Sequence, residues 1–147
     1  MPDPAPAPEI RPTEPRGTVL YIEDDATNVA LVQGLLADFP DVTVIVAATG
    51  EEGVRMARSS RPDLVLLDMH LPDFGGLEVI RALSVDISMG LKVALLTGDS
   101  FSMDIVKAMS LGAFDYWAKP IDPKRLLDGV RRGLLQGPGA AQGVWRR

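Results

Sequence analysis

The sequence predicts an α/β domain: a doubly wound sheet of five parallel strands in the order 2-1-3-4-5, covered by helices on both faces. Five short apolar runs recur along the middle of the chain, and most lack the in/out alternation of a sheet with one wet face. Segments with helical spacing separate them. Strands that alternate with helices call for right-handed crossovers and a parallel sheet, and five such units suit the order that sets strands one and three side by side at the centre.

The elements follow in turn. Thr18–Ile22 is the first run, and Val29, Val32, Leu36 and Phe39 then mark one face of a first helix. Val42–Ala47 is the second strand. The second helix, Glu51 to about Ser60, has the thinnest apolar face, but Thr49-Gly-Glu-Glu52 ahead of it is a capping box, in which threonine and glutamate satisfy opposite orphan amides. Leu64–Leu67 is the third strand, and Leu77, Ile80 and Leu83 give the third helix its apolar stripe. Lys92–Leu96 is the fourth strand; Ile105 and Met109 share a face of the fourth helix, and Gly112 follows Leu111 where a left-handed helix end needs it. Phe114–Ala118 is the fifth strand. Asp122 before Pro123 caps a fifth helix carrying Leu126, Val130 and Leu134.

This patterned region occupies residues 17–136. Residues 1–16, opening Met1-Pro-Asp-Pro-Ala-Pro-Ala-Pro8, read as a proline-stiffened tail or linker, and residues 137–147 as a glycine-rich one. A chain of 147 residues suits one domain, and the dozen residues after Leu135 are too few for an output domain, so a stand-alone protein or a piece of a larger regulator is expected. The absence of cysteine excludes disulfides, zinc–thiolate sites and cysteine catalysis, and fits a reducing compartment. A net charge of -5 argues against direct nucleic-acid binding through a basic surface. No apolar run reaches bilayer-spanning length and no signal peptide opens the chain, so a cytoplasmic location without membrane attachment is expected.

Ligands of such sheets sit beyond the carboxyl ends of the strands, at the switch point between strands one and three. Strand one is followed by Glu23-Asp24-Asp25 and strand three by Asp68, so these acids are expected to converge. Two carboxylates about 4 Å apart repel by roughly 4 kcal/mol at an effective dielectric of about 20, so the crowd needs relief. A divalent cation among hard oxygen ligands, most simply Mg2+, supplies it; a protonated carboxylate is the alternative. Strand four ends at Thr97, and Lys119-Pro120 follows strand five, which brings a hydroxyl and an ammonium to the same edge. Together these groups can hold a phosphoryl group. Metal and lysine neutralise its oxygens, the hydroxyl donates a hydrogen bond and one carboxylate is the nucleophile.

Taken in order, Val19-Leu-Tyr-Ile-Glu-Asp-Asp25, Asp63-Leu-Val-Leu-Leu-Asp-Met-His-Leu-Pro72 with Gly75-Gly76, Ala94-Leu-Leu-Thr97 and Gly112-Ala-Phe-Asp-Tyr-Trp-Ala-Lys-Pro120 resemble the receiver domains of bacterial two-component response regulators, the CheY-like family. The resemblance runs from about Thr18 to Leu135. It implies that Asp68 is the phosphoacceptor, charged by the phosphohistidine of a histidine kinase or histidine phosphotransfer protein. It implies Mg2+ bound by Asp24 and Asp68 directly, by Glu23 through water and by the backbone carbonyl of His70. Lys119 would pair with the phosphate. Thr97 would move onto a phosphate oxygen, and Tyr116 would swing inward in response. The fourth helix, fifth strand and fifth helix would then form the face that a downstream target or a second copy binds. A cis Lys119–Pro120 bond is expected. Glu23 stands where aspartate is frequent in the family, and Gly98 where alanine is usual, with a looser loop expected there. His70 and Asp99 occupy positions that tune the lifetime of the phosphorylated state.

Plainer readings accompany these. Glu23, Asp24 and Asp25 could cap the first helix from solvent, acids there being favourable by about 0.3–1 kcal/mol each. His70 is expected to offer backbone plus an exposed ring rather than catalysis, and Asp115 to lie at the surface. Tyr116 and Trp117 should point to opposite faces of the strand, and the methionines should fill core. Among other functions, an aspartyl-phosphate hydrolase of the haloacid dehalogenase type wants a second aspartate where His70 stands. A flavodoxin-like carrier needs a phosphate loop where the acids would repel phosphate. A dinucleotide site lacks its glycine fingerprint. A degenerate, constitutive receiver is opposed by the intact acid, threonine and lysine set.

Overall fold

A computed structural model describes residues 14–98 and 102–135 of the chain. The expected tails therefore lie almost wholly outside the described residues, and Asp99 lies outside them too. The elements are β1 Gly17–Ile22, α1 Ala26–Leu36, β2 Val42–Ala47, α2 Gly50–Ser60, β3 Leu64–Asp68, α3 Gly76–Ala82, α4 Ser84–Ser88, β4 Val93–Thr97, α5 Met103–Ser110, β5 Asp115–Ala118 and α6 Pro123–Leu135. All five strands pair in parallel in the order β2-β1-β3-β4-β5, as the sequence predicts.

The strands read as continuous apolar runs because both faces of the sheet are covered. Leu20, Ile22, Val65, Leu67, Val93 and Leu95 face one way and pack with Ala57, Val79, Ile80, Ile105 and Ala108. Their alternates Val19, Tyr21, Leu64, Leu66, Ala94, Leu96 and Trp117 face the other and pack with Val32, Leu36, Leu126, Val130 and Leu134. Each buried valine, leucine or isoleucine among them contributes about 1.5–3 kcal/mol by leaving water. On β5, Tyr116 belongs to the first layer and Trp117 to the second, so the two aromatics do point to opposite faces. Trp117 is admitted by Gly129 of α6, where a Cβ would sit 2.1 Å from the indole.

Several details depart from expectation. β3 and β4 each run one residue further than their apolar runs, so Asp68 and Thr97 are fixed within the ladder, with Met69 donating to Leu96 and Lys119 to Thr97 through their amides. Lys92 and Phe114 fall just before their strands. The helical stretch after Gly76 breaks at Leu83 (φ -98°, ψ 13°) into α3 and the extra helix α4, none of whose residues is buried. It left no apolar stripe for periodicity to register. The expected fourth and fifth helices are thus α5 and α6. Met69 fills core and Met56 and Met109 pack against it, but Met89 and Met103 are exposed. Asp115 is half-buried rather than a plain surface residue: it accepts from the Trp117 indole (3.1 Å) and the Tyr116 amide and pairs with Arg132 of α6.

The caps largely follow the sequence. Thr49 accepts from the Glu52 amide (3.1 Å) and Asp122 from the Lys124 amide, and Gly112 adopts φ +106° behind α5. One cap arrives from elsewhere in the chain. The Asp73 carboxylate, in the loop after β3, accepts from the amides of Gly50 (2.8 Å) and Glu51 (2.9 Å) at the start of α2. Its own burial works upward, but the hydrogen bonds from Glu51 and Gly50 outweigh it and hold the carboxyl below its ordinary pKa. Among the described residues, no helix is long and apolar enough to cross a membrane.

Candidate functional site

Strand register assembles the site. Ile22 lies opposite Leu67, so Glu23, one residue on, arrives beside Asp68, the last residue of β3. Thr97 ends β4 opposite Ala118, so Lys119 emerges next to it. Parallel strands deliver all of these to one edge, as the topology requires.

Glu23, Asp24 and Asp68 each offer a carboxylate oxygen within 4.8 Å of the others. Glu23 is 1% and Asp68 2% exposed, whereas Asp24 is open to solvent. Asp25, expected to join them, turns away: its carboxylate caps α1 by accepting from the amides of Thr27 (2.8 Å) and Asn28 (3.2 Å). The plain capping role therefore holds for this one acid of the three in the run.

The Lys119 ammonium reaches into the cluster, 2.9 Å from Asp68 Oδ1 and 3.2 Å from Glu23 Oε1. Burial acts to lower its pKa, but the hydrogen bond and charge of Asp68, joined by Glu23, outweigh that and raise it, so the lysine is cationic. Glu23 shifts upward as well, first through burial and then through Asp68, with Lys119 opposing. That direction reflects a carboxyl taken out of water beside the Asp68 carboxylate, with the Lys119 ammonium in opposition. An all-oxygen cluster with two buried members suits a hard divalent cation, so the residues present fit Mg2+.

The other predicted residues take these positions. Thr97 is buried at the end of β4, and Gly98 after it has room, since a Cβ there would meet nothing within 4 Å. His70 has an exposed side chain, and its amide donates to Asp68 Oδ1 (3.2 Å). Tyr116 is half-buried on β5, two positions from the edge that Lys119 extends, and the Lys119–Pro120 bond is cis.

Two residues not singled out by sequence belong here. Tyr21, fully buried on β1, donates its hydroxyl to Glu23 Oε1 (3.1 Å), and burial followed by the Glu23 charge raises its pKa. Asn28, in the first turn of α1, donates its amide to the same oxygen (3.0 Å). The signal was a tyrosine inside an apolar strand run, two residues before an acid and so on the same strand face.

Comparisons with known proteins point to one family. Residues 19–131 match the response regulator receiver domain profile. The chain is 36% identical over 129 residues to a protein-glutamate methylesterase/protein-glutamine glutaminase of Myxococcus xanthus, covering 86% of this chain and 37% of that protein. It is 34% identical over 119 residues to the DNA-binding response regulator MtrA of Mycobacterium tuberculosis, covering 81% of this chain and 51% of that protein. The chain thus spans about half the length of these curated relatives or less. Among solved structures, a CheY-like response regulator receiver domain protein of Methanospirillum hungatei superposes with a TM-score of 0.73 at 28% identity, covering 82% of this chain and 95% of that one. With the strand order, the site and these relatives in agreement, the chain belongs to the response regulator receiver domain family.

Proposed function

We propose that this chain is a phosphoacceptor switch in a two-component or phosphorelay pathway, with Asp68 receiving a phosphoryl group from the phosphohistidine of a histidine kinase or histidine phosphotransfer protein. The observation that carries the reading is the charge cluster: Glu23, Asp24 and Asp68 within 4.8 Å, answered by Lys119 at 2.9 Å. An Asp68 oxygen attacks phosphorus; a P–O bond forms as the P–N bond breaks, and the imidazole leaves with the bonding pair. Asp24, Asp68 and the His70 backbone carbonyl would hold Mg2+, with Glu23 acting through water. The ion would neutralise charge on the phosphoryl oxygens. Lys119 shifts from the carboxylate to a phosphate oxygen, and the Thr97 hydroxyl donates to another.

Phosphorylation adds about -1.5 to -2 charges at neutral pH, placed against Thr97 and Lys119. Thr97 moves toward the phosphate, Tyr116 swings inward, and the face of α5, β5 and α6 changes for a downstream protein or a second copy. The domain comprises residues 17–136 between two tails and works in the cytoplasm, with no direct contact to nucleic acid or membrane. It catalyses its own phosphotransfer and slow dephosphorylation, not turnover of a separate substrate. His70, exposed and two residues from Asp68, tunes hydrolysis of the phosphoryl group together with Asp99.

The test is phosphotransfer from candidate histidine kinases, or labelling by acetyl phosphate, with and without Mg2+. Labelling is expected to require Mg2+ and to vanish in Asp68→Asn; label that persists in the variant removes the assigned acceptor. Decay of the label should change in rate in His70→Ala, and identical decay would discard the tuning role.

A further inference from the structure

Tyr21 and Asn28 form a clamp on Glu23 that has no counterpart among the acceptor, metal and switch residues assigned above. Three donors converge on one oxygen: the Tyr21 hydroxyl at 3.1 Å, the Asn28 side-chain amide at 3.0 Å and the Lys119 ammonium at 3.2 Å, all on Glu23 Oε1. The other oxygen, Oε2, takes the Asp24 amide at 3.2 Å. A glutamate carries one more rotatable bond than an aspartate, and left to itself its carboxylate would sample several rotamers at the mouth of the pocket. Here the freedom is removed from two sides. β1 presents Tyr21 on the same strand face as Glu23, and the first turn of α1 brings Asn28 over it. Lys119 does not account for the clamp, because it also serves Asp68.

We propose that Tyr21 and Asn28 are positioning residues that lock the Glu23 side chain so that Oε1 is filled by protein donors and Oε2 alone is left to face a metal-bound water. The proposal rests on the phosphoacceptor reading, since it assigns these residues to the Mg2+ step of that site. Tyr21 is suited to the task by its burial: its ring packs in the α1/α6 core layer, and that packing aims the hydroxyl. Outer groups that orient a metal's ligands are typically worth 10–100-fold in affinity, and a carboxylate acting through water should sit at the low end.

The experiment is calorimetric Mg2+ titration of the full chain in the wild type, Tyr21→Phe, Asn28→Ala and Glu23→Asp, and in the Tyr21→Phe/Glu23→Asp double variant. Tyr21→Phe keeps the ring and removes only the hydroxyl, and Asn28→Ala alters a half-buried position, so each tests the clamp with a different demand on the core. Each single loss is expected to raise the Mg2+ dissociation constant roughly tenfold. In the Glu23→Asp background the shorter carboxylate no longer reaches the Tyr21 hydroxyl, so removing that hydroxyl should change nothing further. Thermal midpoints without Mg2+ serve as the folding control. Unchanged Mg2+ affinity in both Tyr21→Phe and Asn28→Ala overturns the proposal while leaving the phosphoacceptor reading intact. An equal loss on removing the hydroxyl from glutamate and aspartate backgrounds also overturns it, since Tyr21 would then act through the fold. A wild-type chain that binds no Mg2+ sinks the metal site and the clamp together.

Discussion

Replacing Asp68 by asparagine removes one charge from a pocket that holds three carboxylates and one ammonium, and the distances say which way the metal-free protein should respond. At an effective dielectric of about 20, the Lys119 contact at 2.9 Å is worth about 6 kcal/mol of attraction, all of which the variant forgoes. Against that, the Glu23 and Asp68 oxygens lie within 4.8 Å, a repulsion of at least about 3.5 kcal/mol that disappears. Asp24 adds a smaller share because it is open to solvent, and asparagine spares the burial of a charge at a position 2% exposed. The opposing contributions nearly cancel, so metal-free Asp68→Asn should stay within about 2 kcal/mol of the wild type, short of the 3–5 kcal/mol typical of a broken buried pair.

Lys119→Met is the asymmetric control. It forgoes contacts of about 6 and about 5 kcal/mol at 2.9 and 3.2 Å and leaves the acids facing one another, with protonation of Glu23 limiting the damage. It should lose about 3–5 kcal/mol without Mg2+. Added Mg2+ should recover more stability in Lys119→Met than in the wild type, and least in Asp68→Asn. Urea unfolding followed by circular dichroism, with EDTA or with Mg2+, reads all three proteins. A metal-free Asp68→Asn destabilised by more than about 3 kcal/mol, or a Lys119→Met as stable as the wild type, would refute the charge balance argued here.

Two further predictions concern the scaffold. Gly129→Ala places a Cβ 2.1 Å from the Trp117 ring and should cost about 1–3 kcal/mol in chemical unfolding, with a smaller loss in the Trp117→Leu background; equal losses in both would deny the contact. Asp73 has a folded-state pKa below its ordinary value, so its contribution is present above the usual aspartate range and is lost as pH falls through the folded value. The melting-temperature gap between wild type and Asp73→Ala should therefore be steady near neutrality and close below about pH 4; a gap independent of pH down to pH 2.5 or so would contradict this.

Strand positions were legible because a parallel sheet buries both faces of its central strands, so runs such as Leu64–Leu67 stand out by composition alone. Once the strands were placed, Asp68, Thr97 and Lys119 followed, since parallel topology sends every strand's carboxyl end to one edge. What was hidden depends on contacts distant in sequence or on the absence of burial. α4 has no buried residue. Asp73 reaches back more than twenty residues to α2, and Asp115, besides its bonds within β5, pairs with Arg132 of α6 seventeen residues on. Asp25 divided from its neighbours because a side chain beside a helix start meets free amides at once, a local choice that Glu23-Asp24-Asp25 does not reveal by itself. Tyr21 was hidden inside a run that read as core, which it also is.

The fastening of Asp73 onto the start of α2 gives the molecule a stiff flank. Four residues separate Asp68 from an anchor held by two backbone amides, so the segment leaving the acceptor cannot swing outward without unseating the first turn of α2. On the other side of the pocket, among the described residues, Thr97 is buried at the end of β4 and Gly98 after it has room for a side chain. On the switch reading proposed above, the tie at Asp73 would resist motion toward α2, so the place where the chain is fastened bears on the direction a signal would take.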